Sequence, residues 1–289
     1  MSEEIAPTSR RFRSGALELH YLDWGGPDTP PLILLHGIRD HAHSWDRIAP
    51  ALAARFRVVA PDLRGHGDSD WSRDGAYLPI HFLEDLAALV EVLGGGPVDL
   101  VAHSFGGNPA VRYAALYPER VRRLVLADAL GPSPRAERLW AEQGEIRRTR
   151  EWLERRRAAR ARAERALPSL EEAAGRLRKG NPRLAEAWAL HLARHGTRPS
   201  GEGWVWKHDP LVGIFAPEDF AVPLARFWQA ITAPVLILTG SETWNANPAE
   251  DGSHRHFRAA RCRTFPGAGH WLHHDQPKEF VAAVAEFLA

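Results

Sequence analysis

Ser104 stands in the run Ala102-His103-Ser104-Phe105-Gly106-Gly107. An apolar, strand-like segment precedes it and a helical pattern follows it. A serine at such a junction, with small residues two before and two after, has the context of the sharp strand-to-helix turn G-x-S-x-G that presents a nucleophilic hydroxyl. The small residues keep strand and helix from colliding. Ala102 occupies the first glycine position of that pattern and is still small. At a helix start, free N–H groups and the helix dipole favour negative charge. A serine that merely caps a helix would occupy the same place, so the chemistry must be judged by what accompanies it.

Two further segments accompany it. His36-Gly37-Ile38 directly follows the apolar run Leu32–Leu35. Acyl transfer builds a negative oxygen in its transition state, and losing one of the N–H donors that hold it costs about 100- to 1000-fold. The backbone N–H groups of Ile38 and Phe105 are the expected donors. Pro266-Gly267-Ala268-Gly269-His270-Trp271 carries a histidine on a glycine-rich loop late in the chain. His270 would take the serine proton and return it to the leaving group. The chain has fifteen histidines, so position rather than residue type selects His270. His273 and His274 lie nearby without the glycine-rich approach.

Together with Pro61-Asp62-Leu63-Arg64-Gly65-His66-Gly67-Asp68-Ser69, these motifs resemble the α/β-hydrolase superfamily in its cap-bearing branch. The resemblance runs from about Leu17 to Leu288. It implies a serine hydrolase with a backbone oxyanion hole, and the Pro61–Ser69 loop is expected to be structural. Many relatives place the acidic partner of the histidine three residues past the glycine that ends the preceding strand. Here that glycine is Gly240 and the matching residue is Thr243, which cannot supply the charge that stabilises an imidazolium. Asp128, at the end of the run Leu124–Ala127, is the favoured substitute, because some members of the superfamily carry the acid there. Glu242 is the alternative acid, and Asp251 follows. Relatives that cleave haloalkanes or epoxides use an Asp nucleophile, and Ser104 argues against both.

The implied reaction is cleavage of a carboxylic ester through an acyl-serine intermediate. A lactone, thioester or carbon–carbon bond on the same triad remains an alternative, as do a slow-turnover ligand receptor and an inactive relative. Gly37, His103, Trp206 and Trp271 are the candidates for lining the substrate pocket. Trp204 and Trp228 fall in the same later part of the cap as Trp206, where plain packing explains a tryptophan equally well. No P-loop, dinucleotide fingerprint or H-E-x-x-H motif is present. No cofactor or metal is implied, and the pair His254 and His256 is a poor metal motif. Pro109 falls about one turn into the elbow helix, so a local distortion near Phe105 is expected.

The elements that must position these residues are legible as alternating strands and helices. Leu32–Leu35, Val58–Ala60, Leu124–Ala127 and Val235–Leu238 are short apolar runs without alternation, as in parallel strands buried on both faces. Val98–Ala102 is a fifth. Ala16–Tyr21 alternates and is expected to be a half-exposed strand ending at Gly25-Gly26. Leu83, Leu86, Leu89 and Leu93 mark one helix; Val111, Ala114 and Ala115 a second; Phe280–Phe287 a third. The succession predicts an α/β fold with a mostly parallel central sheet flanked by helices. It breaks between about Pro132 and Thr232, a stretch rich in Arg and Glu with no convincing strand. The expected organisation is therefore a core of residues 1–131 and 233–289, with a helical cap inserted over 132–232. Leu139, Ile146 and Leu153, spaced by seven, suggest an apolar stripe there, and the arginines from Arg147 to Arg165 a solvated face.

Composition sets the outer limits. The chain has 289 residues, 44% of them hydrophobic, and 37 basic against 36 acidic side chains. That is enough for a sizeable core, and the balance of charge gives no electrostatic footprint for nucleic acid. The start Met1–Ile5 lacks the pattern of a signal peptide, and no run is long enough for a membrane span. The expectation is a cytoplasmic protein acting on a small molecule. The single cysteine, Cys262, is expected to be a small buried hydrophobe.

Overall fold

Apolar runs without alternation ask for strands covered on both faces, and each run lies in one. The structure, a computed structural model, describes residues 6–131, 134–161, 166–201, 203–220 and 222–289. Met1–Ile5, the first two residues of the expected insertion and Arg162–Arg165 of the arginine-rich run lie outside the described residues. The strands are β1 (Thr8–Ser14), β2 (Leu17–Gly25), β3 (Pro31–Leu35), β4 (Arg57–Pro61), β5 (Val98–His103), β6 (Val121–Ala127), β7 (Thr197–Ser200), β8 (Gly203–Trp206), β9 (Val235–Gly240) and β10 (Ala260–Phe265). Eight of them form one sheet in the order β1-β2-β4-β3-β5-β6-β9-β10. β1 and β2 pair antiparallel, as do β2 and β4; the remaining pairs are parallel.

The strand side chains sort by parity onto the two faces. Ile33, Leu35, Leu100, Ala102, Leu124, Leu126, Val235 and Ile237 belong to one core cluster. Leu32, Leu34, Val101, Val125, Ala127, Leu236 and Leu238 belong to the other. Helices Pro79–Val92 and Gly107–Leu116 cover the first face through Phe82, Leu86, Leu89, Val111 and Ala114. Helix Pro277–Leu288 covers the second through Phe280, Ala283 and Val284. The fold is thus α/β, with a mostly parallel sheet between two helical layers. No helix among the described residues is long and apolar enough to cross a membrane.

Four expectations need correction. β2 is buried along most of its length rather than half-exposed, because β1 and β4 flank it and its polar His20 is held by Asp62 at 2.7 Å. The stretch between β6 and β9 contains two strands, the antiparallel hairpin β7–β8, besides helices such as Pro134–Gln143, Glu145–Ala161, Leu170–Gly180 and Glu186–Gly196. Its own small core gathers Leu167, Ala173, Leu184, Trp188 and Leu192. The seven-residue stripe does not pack: Leu139, Ile146 and Leu153 are exposed. Gly144, with φ of +74°, separates the two helices, so the spacing spans a break and defines no common face. Cys262 is exposed, because β10 is the edge strand and its residues 261–264 face outward.

Parallel strands place their carboxyl ends on one edge, and in open α/β sheets ligands bind beyond those ends, where the strand order reverses. Here β4 and β5 lie on opposite sides of β3, so the reversal falls between β3 and β5. Those are the strands that lead into Gly37 and Ser104.

Candidate active site

Ser104 follows the last residue of β5 and has φ of +51°. A 3₁₀ turn, Ser104–Gly106, leads into the α-helix Gly107–Leu116. The backbone around Phe105 is therefore 3₁₀ rather than α. Pro109 falls in the first turn of the regular helix, where its missing N–H leaves no gap in the ladder. Close approach explains the two glycines. A Cβ on Gly106 would stand 2.7 Å from the His36 and Leu35 carbonyl oxygens, and one on Gly107 would stand 2.1 Å from the Ala129 carbonyl oxygen.

His270 reaches the same edge from the loop after β10. Gly240 at the end of β9 lets that loop come close, since a Cβ there would stand 2.3 Å from the Gly269 carbonyl oxygen. The Gly269 N–H donates to Asp275 Oδ2 at 2.8 Å and pins the loop. His270 Nε2 lies 2.9 Å from Ser104 Oγ. On the other side of the ring, Nδ1 is hydrogen-bonded to Asp128 Oδ2. With a proton on Nδ1 shared with Asp128, Nε2 is free to accept from the serine hydroxyl, which is the geometry of a hydroxyl, a base and an orienting carboxylate.

Asp128 immediately follows β6 and has φ of +50°. Its Oδ2 also accepts from Thr243 Oγ1 at 2.6 Å and from Asn245 Nδ2 at 2.9 Å. Thr243, the residue matched to the acid of many relatives, thus donates to the Asp128 carboxylate. Asn245 was not singled out from sequence. It sits two residues beyond Thr243, and only the packing of that turn against Asp128 reveals it. Glu242 is not brought to His270; it is exposed and paired with Arg183. Asp251 accepts from the Ser253 N–H instead.

The loop after β3 supplies the third wall. His36 Nε2 accepts from the Leu63 N–H at 3.0 Å, so its Nδ1–H donates to the Gly37 carbonyl at 2.7 Å. His66 Nε2 accepts from the Arg39 N–H at 2.9 Å. Both rings act as neutral braces for the Gly37–Arg39 backbone, and burial holds His66 well below the usual histidine range. Arg39 has φ of +61°. The three non-glycine residues with positive φ among the described residues are therefore Arg39, Ser104 and Asp128. Each conformation costs on the order of 1–3 kcal/mol, and all three border this one site. Gly37 is tightly packed too, since a Cβ would stand 3.1 Å from both the His103 and Ser104 side chains.

A cavity of about 710 Å³ opens above Ser104 and His270. Gly37, Ile38, His103, Phe105, Asp128 and Trp271 line it. Trp140, Trp152, Phe215 and Trp244 line it as well and were not foreseen. Trp140 and Trp152 come from the two helices that also carry the exposed Leu139 and Leu153, so a scan for apolar periodicity picks their neighbours instead. The Trp244 ring lies 4.2 Å from that of His270 and is largely exposed.

Trp206 does not line this cavity. It belongs to β8 and borders a neighbouring space of about 450 Å³, which Trp271 and Ile38 share. Trp204 packs on the small core of the inserted stretch and Trp228 on Phe257. His103 is buried below His270, and its Nε2 donates to the His270 carbonyl at 3.0 Å. Burial first, and then the nearby His270, hold it well below the usual histidine range. It is a neutral floor under the loop. His273 is buried against His103 and Trp45, and His274 is bonded to Ser44 and Trp188; neither reaches Ser104. The Pro61–Ser69 loop is braced internally: Arg64 clamps Asp85 with two 2.6 Å bonds, and Asp62 accepts from His20 and from the Ala42 and Asp68 N–H groups.

A family model described as the alpha/beta hydrolase fold matches residues 30–277. The chain is 31% identical over 291 residues to esterase Rv0045c of Mycobacterium tuberculosis, covering 98% of this chain and 89% of that protein. It is 30% identical over 280 residues to the sn-1-specific diacylglycerol lipase ABHD11 of Mus musculus, covering 94% and 85% respectively. Among solved structures, the thioesterase domain from the curacin biosynthetic pathway superposes with a TM-score of 0.83 at 25% identity, over 97% of this chain and 99% of that one.

Proposed function

Because this chain belongs to the α/β-hydrolase fold family, we propose that it is a serine hydrolase that cleaves carboxylic esters of small molecules through an acyl-Ser104 intermediate. The observation that carries this reading is the chain of contacts from Ser104 Oγ through the His270 ring to Asp128. Ser104 Oγ attacks the ester carbonyl carbon and passes its proton to His270 Nε2. The carbonyl oxygen becomes an oxyanion and accepts from the Ile38 and Phe105 N–H groups. Collapse of the tetrahedral species breaks the bond to the alkoxy group, which takes the proton from His270 and leaves as the alcohol. Water then repeats the sequence on the acyl-enzyme, giving the acid and free Ser104. Asp128 holds the ring in the productive tautomer and offsets its transient positive charge.

Residues 132–232 act in this reading as a cap over the site. Trp140 and Trp152 reach the cavity from that stretch, and with Trp244 and Trp271 they give it an aromatic wall suited to an acyl or aryl group. The names of the two relatives, an esterase and a diacylglycerol lipase, support ester substrates. The likeness to a thioesterase domain makes a thioester the second substrate class.

The test is the initial rate on p-nitrophenyl esters from acetate to dodecanoate, for the wild type and for Ser104→Ala. Turnover that vanishes in the variant supports the acyl-serine reading, and the chain-length profile sizes the cavity. Equal rates in both proteins would refute it.

A further inference from the structure

Away from Ser104, three histidines and an aspartate converge where the inserted stretch meets the core. His43 and Asp46 belong to the turn after β3, which opens with the 3₁₀ segment Ala42–Trp45. His191 and His195 lie on helix Glu186–Gly196. The two pairs are nearly 150 residues apart in the chain, so no sequence motif announces them. Each pair has a spacing that puts both side chains on one side of its element, i,i+3 on a 3₁₀ turn and i,i+4 on a helix. One ligand atom from each of the four lies within 4.8 Å of all the others. All four residues are half-buried, so the cluster is held by the fold yet reachable from solvent.

The internal contacts show how the group is organised. Asp46 Oδ2 lies 2.7 Å from His191 Nε2 and 2.9 Å from His43 Nδ1. The rings of His43 and His195 stack at 3.7 Å. Trp188 stacks on His191 at 4.4 Å and fixes its plane. Asp46 Oδ1 is buried and has no hydrogen-bond partner among the described residues. A buried carboxylate oxygen without a partner is costly. A hydrogen-bonded cluster alone would leave it so.

We infer that His43, Asp46, His191 and His195 form a binding site for a divalent transition metal ion of the Zn²⁺ type, which clips the inserted stretch to the core. The donor set is three imidazoles and one carboxylate, the ligand types that suit Zn²⁺ rather than the all-oxygen shells of Mg²⁺ or Ca²⁺. Four ligands at about 2.0–2.2 Å from a tetrahedral ion stand roughly 3.4 Å apart. The observed separations, all within 4.8 Å, bracket that spacing. The ring protons that now face Asp46 pass to the other ring nitrogens, which frees a lone pair on each imidazole. Asp46 then ligates the ion where it now accepts from two imidazoles.

The site is independent of Ser104, so its test does not depend on turnover. Full-length, tag-free protein is stripped with a chelator and titrated with Zn²⁺ against a chromogenic competitor. Wild type and Ser104→Ala each bind one equivalent tightly. His191→Ala/His195→Ala binds more weakly by over 100-fold, since losing a supporting partner alone costs about 10- to 100-fold. Asp46→Asn weakens binding as well, and Cys262→Ser leaves it unchanged. Saturating Zn²⁺ raises the unfolding midpoint of wild type and not of the double variant. Circular dichroism of each variant separates loss of ligands from loss of fold. Absence of tight binding to wild type overturns the inference. So does tight binding that survives in the double variant, which would place the ion elsewhere.

Discussion

Replacing Asp128 by Asn isolates the charge of the proposed triad acid. Asn is nearly isosteric and tolerates the left-handed φ of +50° that Asp128 adopts, so the backbone should hold. In the wild type Asp128 Oδ2 gathers donors from His270, Thr243 and Asn245. An amide oxygen can face those donors but carries no charge. A unit charge pair at about 4 Å in a partly screened site is worth about 4 kcal/mol, and each 1.36 kcal/mol is about one decade of rate. Asp128→Asn should therefore lower kcat about 10³-fold on p-nitrophenyl butyrate, with an unchanged circular dichroism spectrum. Thr243 Oγ1 lies 2.6 Å from the Asp128 carboxylate, so a carboxylate at 243 can approach the same ring edge. Adding Thr243→Asp to Asp128→Asn should recover about tenfold or more, a small part of the loss worked out above. Glu242→Gln should be neutral. An Asp128→Asn enzyme that keeps more than about a tenth of the wild-type kcat, less than one decade of loss, would refute the assignment, and loss in Glu242→Gln would relocate the acid.

Three further outcomes follow from the same geometry. Gly107→Ala places a Cβ 2.1 Å from the Ala129 carbonyl oxygen and should cost about 1–3 kcal/mol or more; an unchanged urea midpoint would contradict the close-approach argument. Trp244→Ala removes an exposed ring that covers His270; it should raise KM for long or aromatic acyl esters while the thermal midpoint stays within error, and an unaltered chain-length profile would exclude Trp244 from the acyl site. Acid should destabilise the fold below about pH 6.5. Burial lowers His41 and His274 to about 3, so between pH 3 and 6.5 the unfolded chain binds protons that the folded chain refuses, and each histidine contributes about 1.4 kcal/mol of lost stability per pH unit of acidification. Asp99 and Asp219, raised to about 6 by burial, act in the opposite sense between their unfolded value and 6. They are outnumbered, because His66, His103 and His273 are lowered as well. The unfolding midpoint should fall from pH 7 to pH 5, and a flat profile would show that these histidines are not held neutral.

The arrangement has a consequence for how the site is kept rigid. Ser104 and Asp128, with positive φ, line the cavity, and Arg39, two backbone-bracing histidines and glycines without room for a Cβ belong to the segments that carry its lining. Such positions are tolerated only where the surrounding fold over-determines them. Here the parallel strands β3 and β5, buried throughout, and β6, buried from Leu124 to Ala127, provide that frame.

The sequence by itself determined the parallel core and two of the three residues proposed for catalysis. Unbroken apolar runs such as Leu32–Leu35, too short for helices, fit strands buried on both faces. A serine between such a run and two glycines has a local cause that spacing expresses directly, and so has a histidine on a glycine-rich loop. Local signals failed where side chains meet from distant segments. Thr243 disqualified the usual acid position, but that Asp128 rather than Glu242 meets His270 depends on how the turn after β9 packs on the end of β6. Trp140 and Trp152 of the aromatic wall lay on helices whose periodicity pointed to their neighbours, and Trp244 on a turn with no periodicity to read. Cys262 was assigned by residue type to the interior, and only its place on an edge strand puts it outside. The cluster of His43, Asp46, His191 and His195 shows in the sequence only as two short pairs, with nothing to link one to the other. Its members become neighbours only when the inserted stretch folds back onto the core, because a contact between residues so far apart in the chain is fixed by tertiary packing and by nothing shorter in range.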